Sequence, residues 1–198
     1  MSDLDLSGAE AGAPLPPPLV NGSLKEVAAG VYVIPDERVP LVPNIGVIVG
    51  ERAALVVDTG IGPRNGTRVR EIAEELAGDR ELYLTLTHFH PEHGYGAQSF
   101  PDATIVYNQA QAEELKEKGG GFLENFKAFG DVVAAELEGV RFVDPDETYD
   151  GPMKEIDLGG KVVQLRTYGV AHTRGDQVVF LPEERILFAG DLVENGFF

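Results

Sequence analysis

No cysteine and no tryptophan occur in this 198-residue sequence, and there are only two methionines and four histidines. The missing thiol excludes disulfides, a thiolate nucleophile and sulfur-ligated zinc together, so any metal must be held by imidazole and carboxylate. The N-terminus, Met-Ser-Asp-Leu-Asp, lacks the basic and apolar regions of a secretory signal, and with the absent cysteines it leads us to expect a cytoplasmic protein. Bases are scarce as well: 16 Lys and Arg stand against 33 Asp and Glu, a formal net charge of −17. An anionic chain repels phosphate, and no basic run is dense enough to make a patch, so neither nucleic acid nor a membrane surface is an expected partner. No apolar run approaches the roughly 20 residues that span a bilayer. With 43% hydrophobic residues, the length suits one domain with a substantial core.

Residues 1–20 read as a disordered, Pro-rich acidic tail. The stretch SGAEAGAPLPPP is extended by its prolines, and Asp3, Asp5 and Glu10 face no base. A domain is expected over residues 21–198. From Leu24 the pattern is strand-like, with β-branched runs at Val31–Ile34, Ile45–Gly50 and Ala54–Gly60. The run ending at Asp58 is almost wholly apolar, as in a strand covered on both faces. Val69, Ile72, Ala73 and Leu76 form one stripe of a helix from about Pro63 to Ala77, with proline well placed in its first turn. A strand at Glu81–Thr87, a short helix at Tyr95–Phe100 and a strand at Ala103–Tyr107 follow. Gln109–Lys118 is a polar helix, broken by Gly119, Gly120 and Gly121, and Phe122–Leu137 a second one. Later strands fall at Lys154–Leu158, Lys161–Tyr168, Gln177–Leu181 and Arg185–Ala189. Two strand-rich halves separated by helices predict an α+β fold, a four-layer αββα sandwich.

Chemistry concentrates in His88-Phe89-His90-Pro91-Glu92-His93, where three of the four imidazoles and a carboxylate follow a strand directly. His88 and His90 are two apart, so on an extended segment they point the same way. Pro91 then forces a turn that can bring Glu92 and His93 back toward the same point. Imidazole and carboxylate are the usual donors to a divalent ion such as zinc. His172, in Gly-Val-Ala-His-Thr, and Asp191, in Phe-Ala-Gly-Asp, each follow a strand and can converge on the same sheet edge.

THFHPEH (Thr87–His93), VAHTRGD (Val170–Asp176), FAGDL (Phe188–Leu192) and the early VVDTG (Val56–Gly60) resemble, in order and spacing, the motifs of the metallo-β-lactamase-fold hydrolase superfamily. The resemblance runs from about Leu24 to the end of the chain. It implies a first metal site of His88, His90 and His172, a second with Glu92 and His93, and Asp191 bridging them. Asp58 would orient a ligand histidine rather than bind metal itself. The implied cofactor is Zn2+, one or two ions, with Fe or Mn as substitutes. The implied reaction is attack of a metal-bound hydroxide on a small ester, thioester, lactone or related carbonyl substrate, with Glu92 or Asp191 orienting the water or moving a proton. An iron-dependent oxygenase on the same scaffold, or a truncated family member that binds metal without turnover, are the rival readings.

The sequence departs from the family pattern at three places. Glu92 stands where the family has Asp, which moves the carboxylate by about 1.5 Å. The family's last histidine beyond the Gly-Asp motif is missing. Ala171 and Arg174 replace the small residues common around the third histidine. We therefore expect a complete first site and a partial second one. The chain stops seven residues past Asp191, at Gly196-Phe197-Phe198, so the sandwich is expected to lack its C-terminal segment, with a homodimer or domain swap as a possible cover. Phe122, Phe126 and Phe129 read as rings packing a helix onto the core, with Phe122 the exception best placed to overhang the site.

Overall fold

A computed structural model describes residues 15–194. Seven strands form the larger sheet in plain sequence order: β1 (Lys25–Ala28), β2 (Val31–Ile34), β3 (Ile45–Val49), β4 (Ala53–Val57), β5 (Glu81–Thr85), β6 (Thr104–Asn108) and β7 (Glu147–Tyr149). The first four pair antiparallel and the last four parallel. The change of sense falls at β4, where the chain leaves hairpins for helical crossovers. Helix α1 (Gly62–Ala77) carries β4 to β5, α2 (Pro91–Gly94) and a 3-10 turn carry β5 to β6, and α3 (Gln109–Lys127) with α4 (Asp131–Glu136) carry β6 to β7. The second sheet is an antiparallel meander of β8 (Met153–Asp157), β9 (Val162–Arg166), β10 (Val178–Leu181) and β11 (Ile186–Phe188).

Side chains alternate across β4, and this splits the core in two. Val56 joins a cluster under the helices with Val69, Ala73, Leu84 and Leu86. Ala53, Leu55 and Val57 join Ile48, Val163, Leu165, Val179 and Leu181 between the sheets. All five residues of β4 are buried, as its unbroken apolar run predicted. The layers are thus helices, large sheet, small sheet. The helix-side cluster contains no residue of β8–β11, and the outer face of the small sheet leaves Met153, Val162 and Leu187 exposed. No helix among the described residues is long and apolar enough to cross a membrane.

Several elements differ from the sequence expectation. The three glycines do not break α3, which runs through them to Lys127. Tertiary contact overrides propensity here: Tyr95 Oη donates to the Gly119 carbonyl at 2.8 Å, and a Cβ at Gly119 would press on Leu115 and Phe142 at 3.1 Å. The break comes at Gly130 (φ 132°), so the second helix is only α4. In place of the expected helix at Tyr95–Phe100 there is a 3-10 turn at Ala97–Ser99, and the helical turn α2 falls earlier, in the histidine motif. Strand β7 was not anticipated, because three largely polar residues carry no periodicity. The described end of the expected tail is docked rather than free. Pro18 and Val20 are buried, Asn65 Nδ2 donates to the Pro18 carbonyl at 2.9 Å, and Asn65 Oδ1 accepts from Val20 N at 2.7 Å. The remainder of the tail and the Gly196–Phe198 end lie outside the described residues.

Helix α1 meets the turn after the histidine motif through two glycines. A Cβ at Gly66 would lie 2.2 Å from the Gly96 carbonyl oxygen, a backbone atom that cannot step aside. Gly120 in α3 has nothing within 4 Å of the same position. Ala in a helix normally gains about 1 kcal/mol over Gly. Gly120→Ala should therefore stabilise by about 0.5–1 kcal/mol, and Gly66→Ala should destabilise by about 1–3 kcal/mol. Urea unfolding of both variants checks the opposite signs.

Candidate metal centre

Four strand ends deliver the site to one edge of the sandwich. Asp58 follows β4, and Thr87, His88 and His90 follow β5. Glu92 and His93 lie on α2, whose first residue is Pro91, so the proline that interrupts the extended segment also starts the helix that turns them back. His172 follows β9 and Asp191 follows β11. The loop of His172 is pinned from below: Thr173 N and Oγ1 donate to the two oxygens of Asp176 at 2.7 and 2.6 Å, and Asn108 Nδ2 donates to the Gly175 carbonyl at 2.6 Å. Asp191 sits in a 3-10 turn opened by Gly190 (φ 53°), where a Cβ would strike Thr87 Cβ at 2.6 Å.

All six residues picked from the sequence come together, in two groups that share Asp191. Donor atoms of His88, His90, His172 and Asp191 lie within 4.8 Å of one another, and so do those of Glu92, His93 and Asp191. His172 Nε2 is 3.0 Å from His90 Nδ1 and 3.6 Å from Asp191 Oδ2, and His88 Nε2 is 3.8 Å from the same oxygen. The other oxygen, Oδ1, faces His93 Nε2 at 3.1 Å. Tetrahedral zinc with ligands at about 2.0–2.1 Å needs ligand atoms about 3.3 Å apart, and these separations bracket that value.

Two orphaned atoms show what the donor set fits. Among the described residues, His88 Nε2 and Glu92 Oε2 are buried without a hydrogen-bond partner, which is costly unless something else satisfies them. Burial pushes the His88 imidazole well below its ordinary range, and the neighbouring His93, His90 and His172 push the same way. Burial, then His172 and His93, hold His90 down at about 3. Both rings are therefore neutral at pH 7 and offer lone pairs, which is the state a divalent cation requires.

Asp58 orders the second group. Its Oδ1 accepts from Thr87 N at 2.7 Å, and its Oδ2 accepts from Thr87 Oγ1 at 2.9 Å and meets His93 Nδ1 at 2.8 Å. With Nδ1–H directed at Asp58, His93 turns Nε2 toward Asp191, where a lone pair facing an anion demands a proton or a metal between them. Burial disfavours the His93 cation, but Asp58 and Asp191 outweigh it and raise the imidazole well above its ordinary value. Burial disfavours charge on Asp191 too, yet His93, followed by His172 and His90, holds its carboxyl below the usual range. Burial raises Glu92 to about 7, against the opposing pull of His93.

Sequence reasoning gave Thr87 no role, although it is bonded to both oxygens of Asp58. It also missed Glu114, a buried carboxylate on α3 that accepts from Arg174 N at 2.8 Å and ties the His172 loop to the helix. Neither carries a local signal: Thr87 reads as a strand residue and Glu114 as one of many acids on a polar helix. Of the three phenylalanines, Phe126 is buried in the helix-side core and Phe129 packs against it, while Phe122 also stacks on the His90 ring at 4.6 Å.

A family model described as the metallo-beta-lactamase superfamily matches residues 38–198. The chain belongs to that superfamily. It is 27% identical over 169 residues to an acyl-coenzyme A thioesterase, MBLAC2, of Bos taurus, covering 77% of this chain and 59% of that protein. It is 25% identical over 152 residues to the 2,4-dinitroanisole O-demethylase subunit alpha of Nocardioides sp. (strain JS1661), covering 75% of this chain and 40% of that one. The chain thus spans about half of the length of these curated relatives. Among solved structures, the DIM-1 metallo-beta-lactamase shares the fold at a TM-score of 0.63 and 19% identity, over 88% of this chain and 71% of that one. A metallo-beta-lactamase from Pontibacter korlensis does so at 0.63 and 16%, over 88% and 73%.

Asp58→Asn keeps a side chain that tolerates the left-handed backbone at this position (φ 66°) but weakens the hold on His93. Zinc affinity, measured by chelator competition, should fall about 10–100-fold with the fold retained. Glu92 offers a test in chelator-treated protein. Its folded-state value of about 7 lies above the ordinary 4.5, so its stabilising contribution is complete below about pH 4.5 and is lost as pH rises through 7. The stability of Glu92→Gln relative to wild type should therefore rise between pH 5 and 8, by up to about 3 kcal/mol. Denaturant unfolding at the two pH values measures it.

Proposed function

We propose that the chain is a metal-dependent hydrolase of small esters, thioesters, lactones or related carbonyl compounds. The observation that carries this reading is the convergence of His90, His172 and Asp191 on His88, whose buried Nε2 has no hydrogen-bond partner among the described residues. Kinship supports the thioester side of the substrate range, since one relative is named an acyl-coenzyme A thioesterase.

His88, His90 and His172 would hold one ion, Glu92 and His93 a second, and Asp191 would touch both. Zinc suits this nitrogen and oxygen donor set. When bound, the metal supplies Lewis acidity that polarises the carbonyl and acidifies a water molecule. The chain's own residues do the rest. His88, deeply buried, and the pinned His172 loop set the positions of the donors before substrate arrives, which favours the transition state without reorganisation. Asp58 and Thr87 hold His93 in one orientation. Asp191 reaches both groups and is 23% exposed, so it can take the proton of the attacking water and return it to the leaving group. Glu92 has its free oxygen buried and is better suited to balancing cationic charge than to exchanging protons with solvent. Without cysteine, a thiolate nucleophile is excluded.

Metal content by mass spectrometry and turnover of a panel of aryl esters, thioesters, lactones and β-lactams test the reading together. We expect bound zinc and hydrolysis of at least one carbonyl class, with His88→Ala losing the metal and at least about 100-fold in kcat/KM. Bound metal with no hydrolysis anywhere in the panel would sink the proposal, as would stoichiometric iron with oxygen consumption.

A further inference from the structure

Among the described residues, the large apolar side chains most open to solvent are Val170 (76% exposed), Tyr168 (74%) and Val193 (71%), and the others that stand exposed reach only 40–52%. All three lie within four residues of a candidate ligand. Tyr168 and Val170 are on the loop leading to His172, and Val193 is two residues past Asp191. Single exposed apolar residues are ordinary, but the three most exposed all falling within four residues of a candidate ligand is not. The other member of the His90–His172 pair has an apolar neighbour of its own. Phe122 of α3 stacks on His90 at an interplanar angle of 27° and meets Phe89 edge-on at 5.0 Å. Two cations near this pair are bonded to carboxylates: Lys118 Nζ donates to Glu114 at 2.6 Å and Arg174 Nη2 to Glu117 at 2.7 Å. Beside the candidate centre stands the Phe122 ring on His90, and the loop leading to His172, whose Nε2 is 3.0 Å from His90 Nδ1, carries the exposed Val170 and Tyr168.

We infer that Phe122, Tyr168 and Val170 form an apolar acceptor beside the His90–His172 pair, which selects substrates whose acyl group carries an alkyl chain or aryl ring over short or charged ones. For turnover, the inference rests on the hydrolase reading. For binding it does not, because burying an alkyl chain against these side chains needs no chemistry. Water released from Val170 and Tyr168 supplies the gain, and the Phe122 ring, already held by His90 and Phe89, is ordered in advance.

The test uses two matched series of N-acetylcysteamine derivatives with two to eight carbons in the variable chain. S-acyl thioesters report turnover by metal-loaded protein. S-alkyl thioethers, which have no carbonyl to attack, report binding by calorimetry. Affinity and kcat/KM should each rise by roughly threefold per added methylene, with a negative heat-capacity change on binding. Phe122→Ala should flatten the dependence. Val170→Ser and Tyr168→Ser, at exposed positions that do not threaten folding, should flatten it too. No chain-length dependence in wild type, or one unchanged in the serine variants, overturns the inference. So does a dimer that the serine variants disperse while thioether binding stays the same, since the rim would then belong to a second copy of the chain. If the thioethers bind with the expected dependence and no thioester is cleaved, the hydrolase reading fails and the acceptor stands.

Discussion

Asp58 is the constraint on which the site depends. It is buried at the end of a wholly buried strand, in a left-handed conformation (φ 66°) that Asp tolerates better than most residues. Its carboxylate receives the Thr87 amide, the Thr87 hydroxyl and one nitrogen of His93. Those bonds join the ends of β4 and β5 and begin the turn that carries the histidine motif. They also decide which nitrogen of His93 faces the centre. A buried carboxylate so bonded is costly to disturb, because any lost partner leaves charge in a low-dielectric interior.

The layers explain why this edge can hold such a group. β4, β5 and β6 run parallel and are covered by helices on one face and by β8–β11 on the other. Parallel strands bring their C-terminal ends to one side, and the residues just beyond them need not satisfy the ladder. The small sheet then supplies His172 and Asp191 from the ends of β9 and β11, so that the site spans both sheets. Gly66 against Gly96, and Gly190 against Thr87, set the closeness of approach at two of these junctions.

The site is asymmetric in burial. His88, His93 and Asp58 form a buried floor, while His172 and Asp191 stand nearer solvent. A neutral His88 and the Asp58–His93 pair lie on the floor, and the more exposed Asp191 at the opening places proton-exchanging capacity where water can reach it. The rim carries apolar side chains within a strongly acidic chain, so charge over the whole molecule gives a poor description of the surroundings of the centre. Net charge concerns the long-range field, whereas recognition at the rim concerns a few side chains.

The sequence alone determined the donor chemistry, because four histidines and no cysteine leave only nitrogen and oxygen. It also determined most of the strands and α1, whose periodicities are strong, and it singled out the six residues that meet at the centre. Tertiary structure decided what periodicity does not carry. The triple glycine stays helical because Tyr95, Leu115 and Phe142 pack around Gly119. β7 pairs through backbone bonds that its three residues do not advertise. Part of the expected tail docks because Asn65 supplies a donor and an acceptor to it. Thr87, Glu114 and the stacking of Phe122 on His90 depend on contacts between residues distant in the chain or unmarked in it. The general reason is that composition and spacing record which groups are available, and only packing records which of them are brought close enough to act on one another.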